Sequence, residues 1–179
     1  MTTGISPGTP VKDEAARDPA HAAMRVGHIH LKVADLERAT AFYRDVLGLD
    51  VVQRAFAGTV AFLSAGGYHH HVALNTGHSL GGTPPPPGHT GLYHVAFVYP
   101  DRTALARAYQ RVAAAGVAVQ GFDHGVSEAL YFDDPDGNGV ELYWDCPPAR
   151  WAYVDGGILN VGMNESFDPD ILLTELDPR

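Results

Sequence analysis

Three side chains of the metal-ligating type belong to three separate strand-like runs of the sequence. His28 and His94 each open an apolar run, and Glu141 lies in a third run just after the turn-forming sequence Asp134–Gly139. If these runs are neighbouring strands, two histidines and one carboxylate converge and leave other metal positions open. That ligand set is typical of non-heme Fe(II) oxygen chemistry. The sequence therefore predicts a metal site built from His28, His94 and Glu141.

An internal repeat predicts the elements that position these side chains. In each copy a strand headed by histidine leads to a helix, which begins at Asp35 in the first copy and at Asp101 in the second. Three further strand-like runs follow each helix. They are Asp50–Arg54, Val60–Ser64 and His69–Asn75 in the first copy, and Val117–Phe122, Glu128–Phe132 and Gly139–Trp144 in the second. Each half therefore reads βαβββ, and the predicted fold class is α+β.

Alignment of the two copies pairs Glu141 with an alanine. His28 stands 66 residues before His94, and Ala73 stands 68 residues before Glu141. Alanine can neither bind a metal nor accept a proton. The predicted site consequently has three protein ligands and no fourth ligand from the first copy.

The remaining sequence predicts two tails and a linker around the two modules. The predicted segments are a flexible N-terminal tail (1–23), the first module (24–76), a linker rich in glycine and proline (77–91), the second module (92–146) and a C-terminal extension (147–179). The linker contains the run Pro84–Pro87, which cannot form a strand. Apolar residues in the acidic C-terminal extension indicate that parts of it dock on the body or on another subunit.

The composition argues against several classes of partner. A formal net charge of −9 with only 12 Lys+Arg offers no basic surface for nucleic acid or for an anionic membrane. The sequence has no long apolar run of membrane-spanning length and no apolar stretch typical of a secretory signal, so the expected compartment is the cytoplasm. We expect small-molecule partners and a homodimer or higher homo-oligomer. The single cysteine, Cys146, is not expected to be a nucleophile, because neighbouring Asp145 disfavours a thiolate.

Two motifs in this sequence resemble those of a known superfamily. His28 to Gly48 follows the pattern His-x-x-Leu-x-Val-x-Asp-Leu and then Phe-Tyr-x-x-x-Leu-Gly, and Asp134 to Leu142 reads Asp-Pro-Asp-Gly-Asn-x-Val-Glu-Leu. By these motifs the stretch from Gly27 to Trp144 is identified as a member of the vicinal oxygen chelate superfamily. This superfamily includes glyoxalase I, fosfomycin-resistance thiol transferases, methylmalonyl-CoA epimerases, bleomycin-binding proteins and extradiol catechol dioxygenases.

The resemblance implies both a fold and a metal site. The implied fold has two paired βαβββ modules whose half-open sheets form a cleft, with a divalent metal held by His28, His94 and Glu141. Glyoxalase I and the epimerases typically have a fourth ligand at the position of Ala73, which serves proton transfer beside the metal. Fosfomycin-type enzymes use three ligands, so Ala73 narrows the choice of reaction but does not decide it.

A second set of residues resembles the extradiol dioxygenases. The strand His69-His70-His71-Val72-Ala73-Leu74 is similar to an extradiol strand whose second histidine handles protons beside the iron, which implies this role for His70. His124 followed by Tyr131 resembles a substrate-contacting pair, and Tyr131 stands ten residues before Glu141, as the family pattern requires. The chain is most similar to small, single-module catechol 2,3-dioxygenase-like proteins. The resemblance thus implies an Fe(II) enzyme, with Mn(II) as the alternative metal, that acts on an aromatic diol and O₂.

The alternation of side chains along a strand, taken alone, puts His70 on a different face from the one that the resemblance implies. Alternation along a strand puts His69 and His71 on the face of Ala73 and His70 on the opposite face. A bulge or a strand end near His70 would remove this conflict, and His69 and His71 are the alternatives for the same role.

Two alternative functions follow from the same superfamily. A metal-dependent glyoxalase or thiol transferase could use the three ligands, although a glyoxalase would need a functional replacement for Ala73. A drug-binding resistance protein would need only an aromatic cleft and no metal. The presence of His28, His94 and Glu141 together disfavours the drug-binding alternative.

Overall fold

The computed structural model describes residues 24–154, 157–162 and 164–177, and the predicted N-terminal tail 1–23 lies outside these ranges. The first module consists of strand β1 (Ile29–Lys32), helix α1 (Leu36–Ala41) with a π-helical continuation (Phe42–Val46), and strands β2 (Asp50–Ala55), β3 (Val60–Ser64) and β4 (Val72–Asn75). A short 3-10 turn (Phe56–Gly58) joins β2 to β3. The order βαβββ is the predicted one.

The second module repeats this order, and a C-terminal segment follows. The second module contains β5 (Val95–Tyr99), α2 (Arg102–Ala114), β6 (Gln120–Asp123), β7 (Ser127–Asp133) and β8 (Gly139–Asp145). The C-terminal segment contains β9 (Tyr153–Val154), β10 (Ile158–Leu159), β11 (Glu165–Phe167) and 3-10 turns at Pro148–Arg150 and Pro169–Leu176. In the part of the chain that is described, no helix has the length and apolar character needed to cross a membrane.

Both predicted helix starts are confirmed. The Asp35 carboxylate accepts hydrogen bonds from the backbone N–H groups of Glu37 and Arg38, and the Asp101 carboxylate accepts one from Ala104. These groups have no partner within a helix, so the caps satisfy donors that would otherwise be exposed. The caps therefore fix the point at which each chain segment turns from its first strand into its helix.

The sheet topology places the first strand of each module, which directly follows His28 or His94, beside the fourth strand of that module. The first sheet has the order β1-β4-β3-β2 and the second has the order β11-β6-β7-β8-β5. β1 runs parallel to β4, and β5 runs parallel to β8. In register, His30 pairs with Ala73 and Ala96 pairs with Glu141. The two sheets, with four and five strands, agree with the predicted α+β fold.

One hydrophobic core joins the two modules. Alternate residues of both sheets and one side of each helix are buried in it, including Leu31, Leu63, Leu74, Leu105, Val112, Leu130 and Leu142. Full burial of a leucine side chain contributes roughly 1.5–3 kcal/mol before entropy is counted. Because side chains alternate along a strand, the residues between these core positions lie on the opposite face of each sheet. Glu141, between buried Val140 and Leu142, lies on this face.

The Asp134–Gly139 turn ties the second module to the first. The Tyr43 hydroxyl donates to Asp134, and the Ala34 backbone N–H donates to Asp136. Asp134 also accepts from the backbone N–H groups of Asp136 and Asn138. These carboxylates therefore shape the turn, as the sequence predicts.

Part of the C-terminal extension docks on the second module, as expected. Strand β11 pairs with β6 and becomes an edge of the second sheet. Leu172 is fully buried, and Tyr109 of α2 donates a hydrogen bond to Asp170. The extension therefore adds a strand and a packed turn to the repeated fold.

Candidate metal centre

The open face of the second sheet carries a connected set of polar side chains around Glu141. Tyr131 in β7 pairs in register with Glu141 in β8, and its hydroxyl donates to Oε1 at 2.9 Å. His94, one residue before β5, has Nε2 3.0 Å from the other carboxylate oxygen, Oε2. His124 has Nε2 2.9 Å from the Tyr131 hydroxyl. The structure therefore brings four predicted site residues together.

The direction of these hydrogen bonds follows from the single phenolic proton. Since the Tyr131 hydroxyl donates to Glu141, the contact from His124 requires an Nε2–H group that donates to the phenol oxygen. Burial and, next, the bond to Glu141 raise the pKa of Tyr131 well above its ordinary value. The hydroxyl therefore stays protonated near neutral pH and remains a donor.

The surroundings of Glu141 are compatible with a carboxylate that binds a cation. It is 9% exposed, and its hydrogen-bond and ion-pair contacts within the described residues are to Tyr131 and His94 rather than to lysine or arginine. A buried carboxylate is costly unless it is paired or coordinates a metal. His94 Nδ1 is also buried and has no hydrogen-bond partner in the described residues. His94 Nε2, which faces the carboxylate, is thus the candidate ligand atom.

The spacing of His94 and Glu141 fits two ligands of one ion. Metal bonds to imidazole nitrogen and carboxylate oxygen are each about 2.1 Å, so ligand atoms at right angles on one ion lie about 3 Å apart. The observed Nε2 to Oε2 distance is 3.0 Å. Tyr131 would then act as an outer partner that orients the carboxylate.

His28, the third predicted ligand, belongs to the other sheet. It immediately precedes β1, and its ring lies 4.4 Å from the ring of His70, measured between centroids. Among the residues that the structure describes, no three side chains of the His, Cys, Asp or Glu type are close enough to hold one ion. The structure therefore brings His94 and Glu141 together and leaves His28 apart from them.

His70 lies at a strand end, which resolves the conflict over its face. Strand β4 begins only at Val72, so the three preceding histidines lie in irregular backbone. The His70 ring contacts the ring of Phe62, with centroids 4.9 Å apart, and Phe62 pairs in register with Ala73. His70 therefore reaches the face of Ala73, the first-module counterpart of the Glu141 face.

The His70 ring is suited to accept a proton. Burial lowers its pKa, and the neighbouring His28, His69, His30 and His71 lower it further. A neutral imidazole near pH 7 is the form that acts as a base. His71 has a different environment, because its Nδ1 lies 3.0 Å from Ser64 Oγ and 3.3 Å from the Ala65 backbone nitrogen.

A recess of about 770 Å³ opens beside the Glu141 network and includes a residue that the sequence does not point to. It is lined by His94, Phe122, His124 and Tyr131 together with Asn164 from the C-terminal extension. The extension lies outside both motifs, so neither motif indicates Asn164. A second recess, of about 820 Å³ at the start of α1, has no histidine among its described lining residues. We therefore assign the candidate site to the recess beside Glu141.

Cys146 takes no part in this site. It is 1% exposed, and burial raises the pKa of its thiol. A buried, protonated thiol is a poor nucleophile. The prediction that Cys146 is not a nucleophile is therefore supported.

The fold and the site define the class of protein. Residues 25–142 match the model of the Glyoxalase/Bleomycin resistance protein/Dioxygenase superfamily, and the chain belongs to this superfamily. The prediction made from the two motifs is thus confirmed.

Among curated proteins, the chain is similar to several dioxygenases. It is 39% identical over 131 residues to a catechol-2,3-dioxygenase of Bacillus subtilis, which covers 73% of this chain and 45% of that protein. It is 39% identical to biphenyl-2,3-diol 1,2-dioxygenase 3 of Rhodococcus globerulus, covering 68% of this chain and 63% of that protein. The chain thus spans about half to two thirds of the length of these relatives. Biphenyl-2,3-diol 1,2-dioxygenase 2 of the same species is 32% identical and is covered over 80% of its length.

Solved structures agree on the fold. A glyoxalase/dioxygenase from Nostoc punctiforme matches with a TM-score of 0.57 and 25% identity, covering 75% of this chain and 99% of that chain. A lactoylglutathione lyase from Agrobacterium tumefaciens matches with a TM-score of 0.52 and 27% identity, covering 67% of this chain and 92% of that chain. These proteins are named for different reactions, so the similarity supports the fold of the superfamily and not one particular reaction.

Proposed function

We propose that the protein is an extradiol ring-cleaving dioxygenase that inserts O₂ into a catechol-type aromatic diol. The observation that carries this proposal is the network on the second sheet, in which Glu141 contacts both His94 and Tyr131 while His124 contacts Tyr131. Similarity to three diol dioxygenases supports the same reaction. His28, His94 and Glu141 are the proposed metal ligands. The proposed metal is Fe(II), with Mn(II) as the alternative, which a manganese-dependent 2,3-dihydroxybiphenyl 1,2-dioxygenase at 30% identity also supports.

The residues around the proposed metal have distinct roles. When bound, ferrous iron supplies a centre that holds both diol oxygens and passes electrons to dioxygen. His70, kept neutral by burial and by its histidine neighbours, takes a phenolic proton from the diol. The Tyr131 hydroxyl, kept protonated, would turn its single proton from Glu141 to a substrate oxygen once Glu141 binds the metal, and His124 would hold the phenol oxygen in place by donating to it.

In this proposal two copies of the chain complete the site. Within one copy His28 is associated with His70 on the first sheet, whereas His94 and Glu141 pair on the second sheet. β1 and β5, which directly follow His28 and His94, are edge strands of their sheets. Exposed apolar side chains on and around these edges include Val26, Tyr93 and Val98. A second copy that covers these edges would bring its His28 to the His94–Glu141 pair and bury this apolar surface.

Metal-dependent thiol transfer is the second candidate. A glutathione transferase FosA of Serratia marcescens is 28% identical over 127 residues, covering 71% of this chain and 85% of that protein. Glutathione is anionic and calls for cationic contacts. The described residues that line the recess beside Glu141 include no lysine or arginine, which favours the diol.

The test is a reaction screen with the purified full chain. Protein purified without oxygen and loaded with Fe(II) is mixed with a panel of catechols in an oxygen electrode, while absorbance follows the ring-opened product. We expect O₂ uptake with at least one diol and about one iron per chain, as an open three-ligand site holds one ion. An iron-loaded protein that consumes no O₂ with any diol but conjugates glutathione would contradict the proposal.

A further inference from the structure

The C-terminal extension places Asn164 on the face of the proposed active site. In the pairing of β11 with β6, Ser166 lies opposite Phe122 and Glu165 lies opposite Asp123. One step further along the same register, Asn164 lies opposite His124. Opposed residues of neighbouring strands share a face. Asn164 is therefore on the side of the sheet that carries Phe122 and His124, and both line the recess with it.

Two sets of contacts fix the position of this part of the extension. A side chain at Gly121 would meet the Phe167 carbonyl oxygen at 2.8 Å and its ring at 3.0 Å, so only glycine lets β11 approach β6 this closely. Beyond β11, Leu172 is fully buried and Asp170 accepts from Tyr109. Asn164 is thus held at the recess by strand pairing on one side and by a packed turn behind it.

The recess that Asn164 lines carries amide and imidazole side chains and, among its described lining residues, no lysine or arginine. Gln120, which pairs in register with Tyr131, presents a second amide to the same recess. Among the described lining residues none is lysine or arginine, and Asp133 adds an acidic group. Amides donate and accept hydrogen bonds without charge. The recess therefore suits a neutral hydrogen-bonding group and disfavours a carboxylate.

We propose that Asn164 is a specificity-determining residue that binds a neutral polar substituent on the aromatic ring of the diol. This inference rests on the proposed function, because it assumes that the diol oxygens are held at the His94–Glu141 end of the recess. Asn164 adjoins β11, which lies three strands from the Glu141 strand β8, so it would contact a ring substituent rather than the reacting oxygens. The protein accordingly prefers catechols with a hydroxyl, ether or amide group on a side chain over those with a carboxylate.

The test compares matched substrates on an Asn164→Leu variant, which keeps a side chain of similar size and removes its hydrogen bonds. The substrates are 4-methylcatechol, 4-(hydroxymethyl)catechol and 3,4-dihydroxybenzoate. A lost hydrogen bond changes binding by about tenfold. We expect kcat/KM for the hydroxymethyl compound to fall about tenfold in the variant, while kcat/KM for the methyl compound changes less than about twofold. Wild-type protein should use the carboxylate compound least. Ser166→Ala, on the same side of the sheet, is the control. It should leave kcat/KM unchanged for both the methyl and the hydroxymethyl compound.

Binding measurements separate this inference from the proposed function. Dissociation constants are measured by anaerobic titration of the iron-loaded wild-type and variant proteins with the same compounds. If the wild type binds diols but does not cleave them, the proposed function fails, and a selective loss of the hydroxymethyl compound in Asn164→Leu still supports the inference. The inference is overturned if Asn164→Leu loses affinity equally for both neutral compounds or for neither of them. It is also overturned if the wild type binds no diol.

Discussion

At the level of single residues, Glu141 is the side chain whose environment says most about function. Its carboxylate is buried, contacts a histidine nitrogen on one oxygen and accepts from a tyrosine on the other. The sequence identified Glu141, His94, Tyr131 and His124 as candidate site residues, because their types and spacing match motifs of the family that the sequence resembles. It could not give the bond from Tyr131 to Glu141, since that contact depends on the register of β7 with β8.

Substitution at the site should separate metal binding from proton transfer. Glu141→Ala removes a proposed ligand, so we expect iron to be lost during gel filtration. His70→Ala removes a proposed base, so iron should remain bound while kcat falls by about 100-fold or more, the usual contribution of a positioned base. The measurement is iron per chain after gel filtration, followed by turnover of a diol. Equal loss of iron in both variants would show that His70 is a ligand rather than a base.

At the level of secondary-structure elements, the repeat predicted the strands and helices but not all of their ends. Asp35 and Asp101 cap their helices as predicted, because capping depends on local side-chain chemistry. The predicted strand His69–Asn75 begins only at Val72, and the side chains of the histidines before it contact Ser64, His28 and one another. β11 was not predicted as a strand. Its three residues carry too little periodicity, and its pairing depends on the glycine at position 121.

The contact between Tyr109 and Asp170 should stabilise the docked C-terminal turn. Tyr109→Phe removes a hydrogen bond to a carboxylate at a buried position, and we expect the free energy of unfolding to fall by about 1–2 kcal/mol. Urea titration at pH 7 measures this change. Tyr153→Phe alters an exposed tyrosine and is the matched control, which should leave the free energy unchanged. A Tyr109→Phe protein as stable as the wild type would mean that the contact does not hold the turn.

The same tyrosine gives a pH dependence at the alkaline end. Burial and then the Asp170 carboxylate raise the pKa of Tyr109 to about 12. An unfolded tyrosine has a pKa of about 10. The folded state therefore keeps the proton that the unfolded state loses, and stability should fall as the pH rises from about 10 towards about 12. Urea titrations across this range should show a smaller fall in Tyr109→Phe than in the wild type. An identical fall in both would exclude Tyr109 as the cause.

At the level of the whole molecule, the two modules share one core while the proposed ligands belong to two sheets. The repeat pairs His28 with His94 and Glu141 with Ala73, and the topology places β1 beside β4 and β5 beside β8. The sequence could not say which copy of the first module faces which copy of the second. The same hydrophobic pattern is compatible with a site inside one chain and with a site between two.

Mixing two inactive variants tests whether the site is shared. Coexpressed His28→Ala and Glu141→Ala chains should form mixed dimers. In one of the two sites of such a dimer, the Glu141→Ala chain supplies His28 and the His28→Ala chain supplies His94 and Glu141, so all three ligands are present. Random pairing should restore about one quarter of the wild-type activity, whereas each variant alone stays inactive. Gel filtration and mass analysis confirm that mixed dimers are present. No recovery in confirmed mixed dimers would place all three ligands in one chain.

The fate of labelled oxygen tests the proposed reaction most directly. Iron-loaded protein is mixed with a diol under ¹⁸O₂, the product is reduced with borohydride before its carbonyl oxygen can exchange with water, and its mass is measured. The proposed function predicts a ring-opened product that carries both labelled atoms, and no such product with Glu141→Ala. A product with one labelled atom or none, or the same labelled product from metal-free protein, would contradict the assignment of this site to extradiol cleavage.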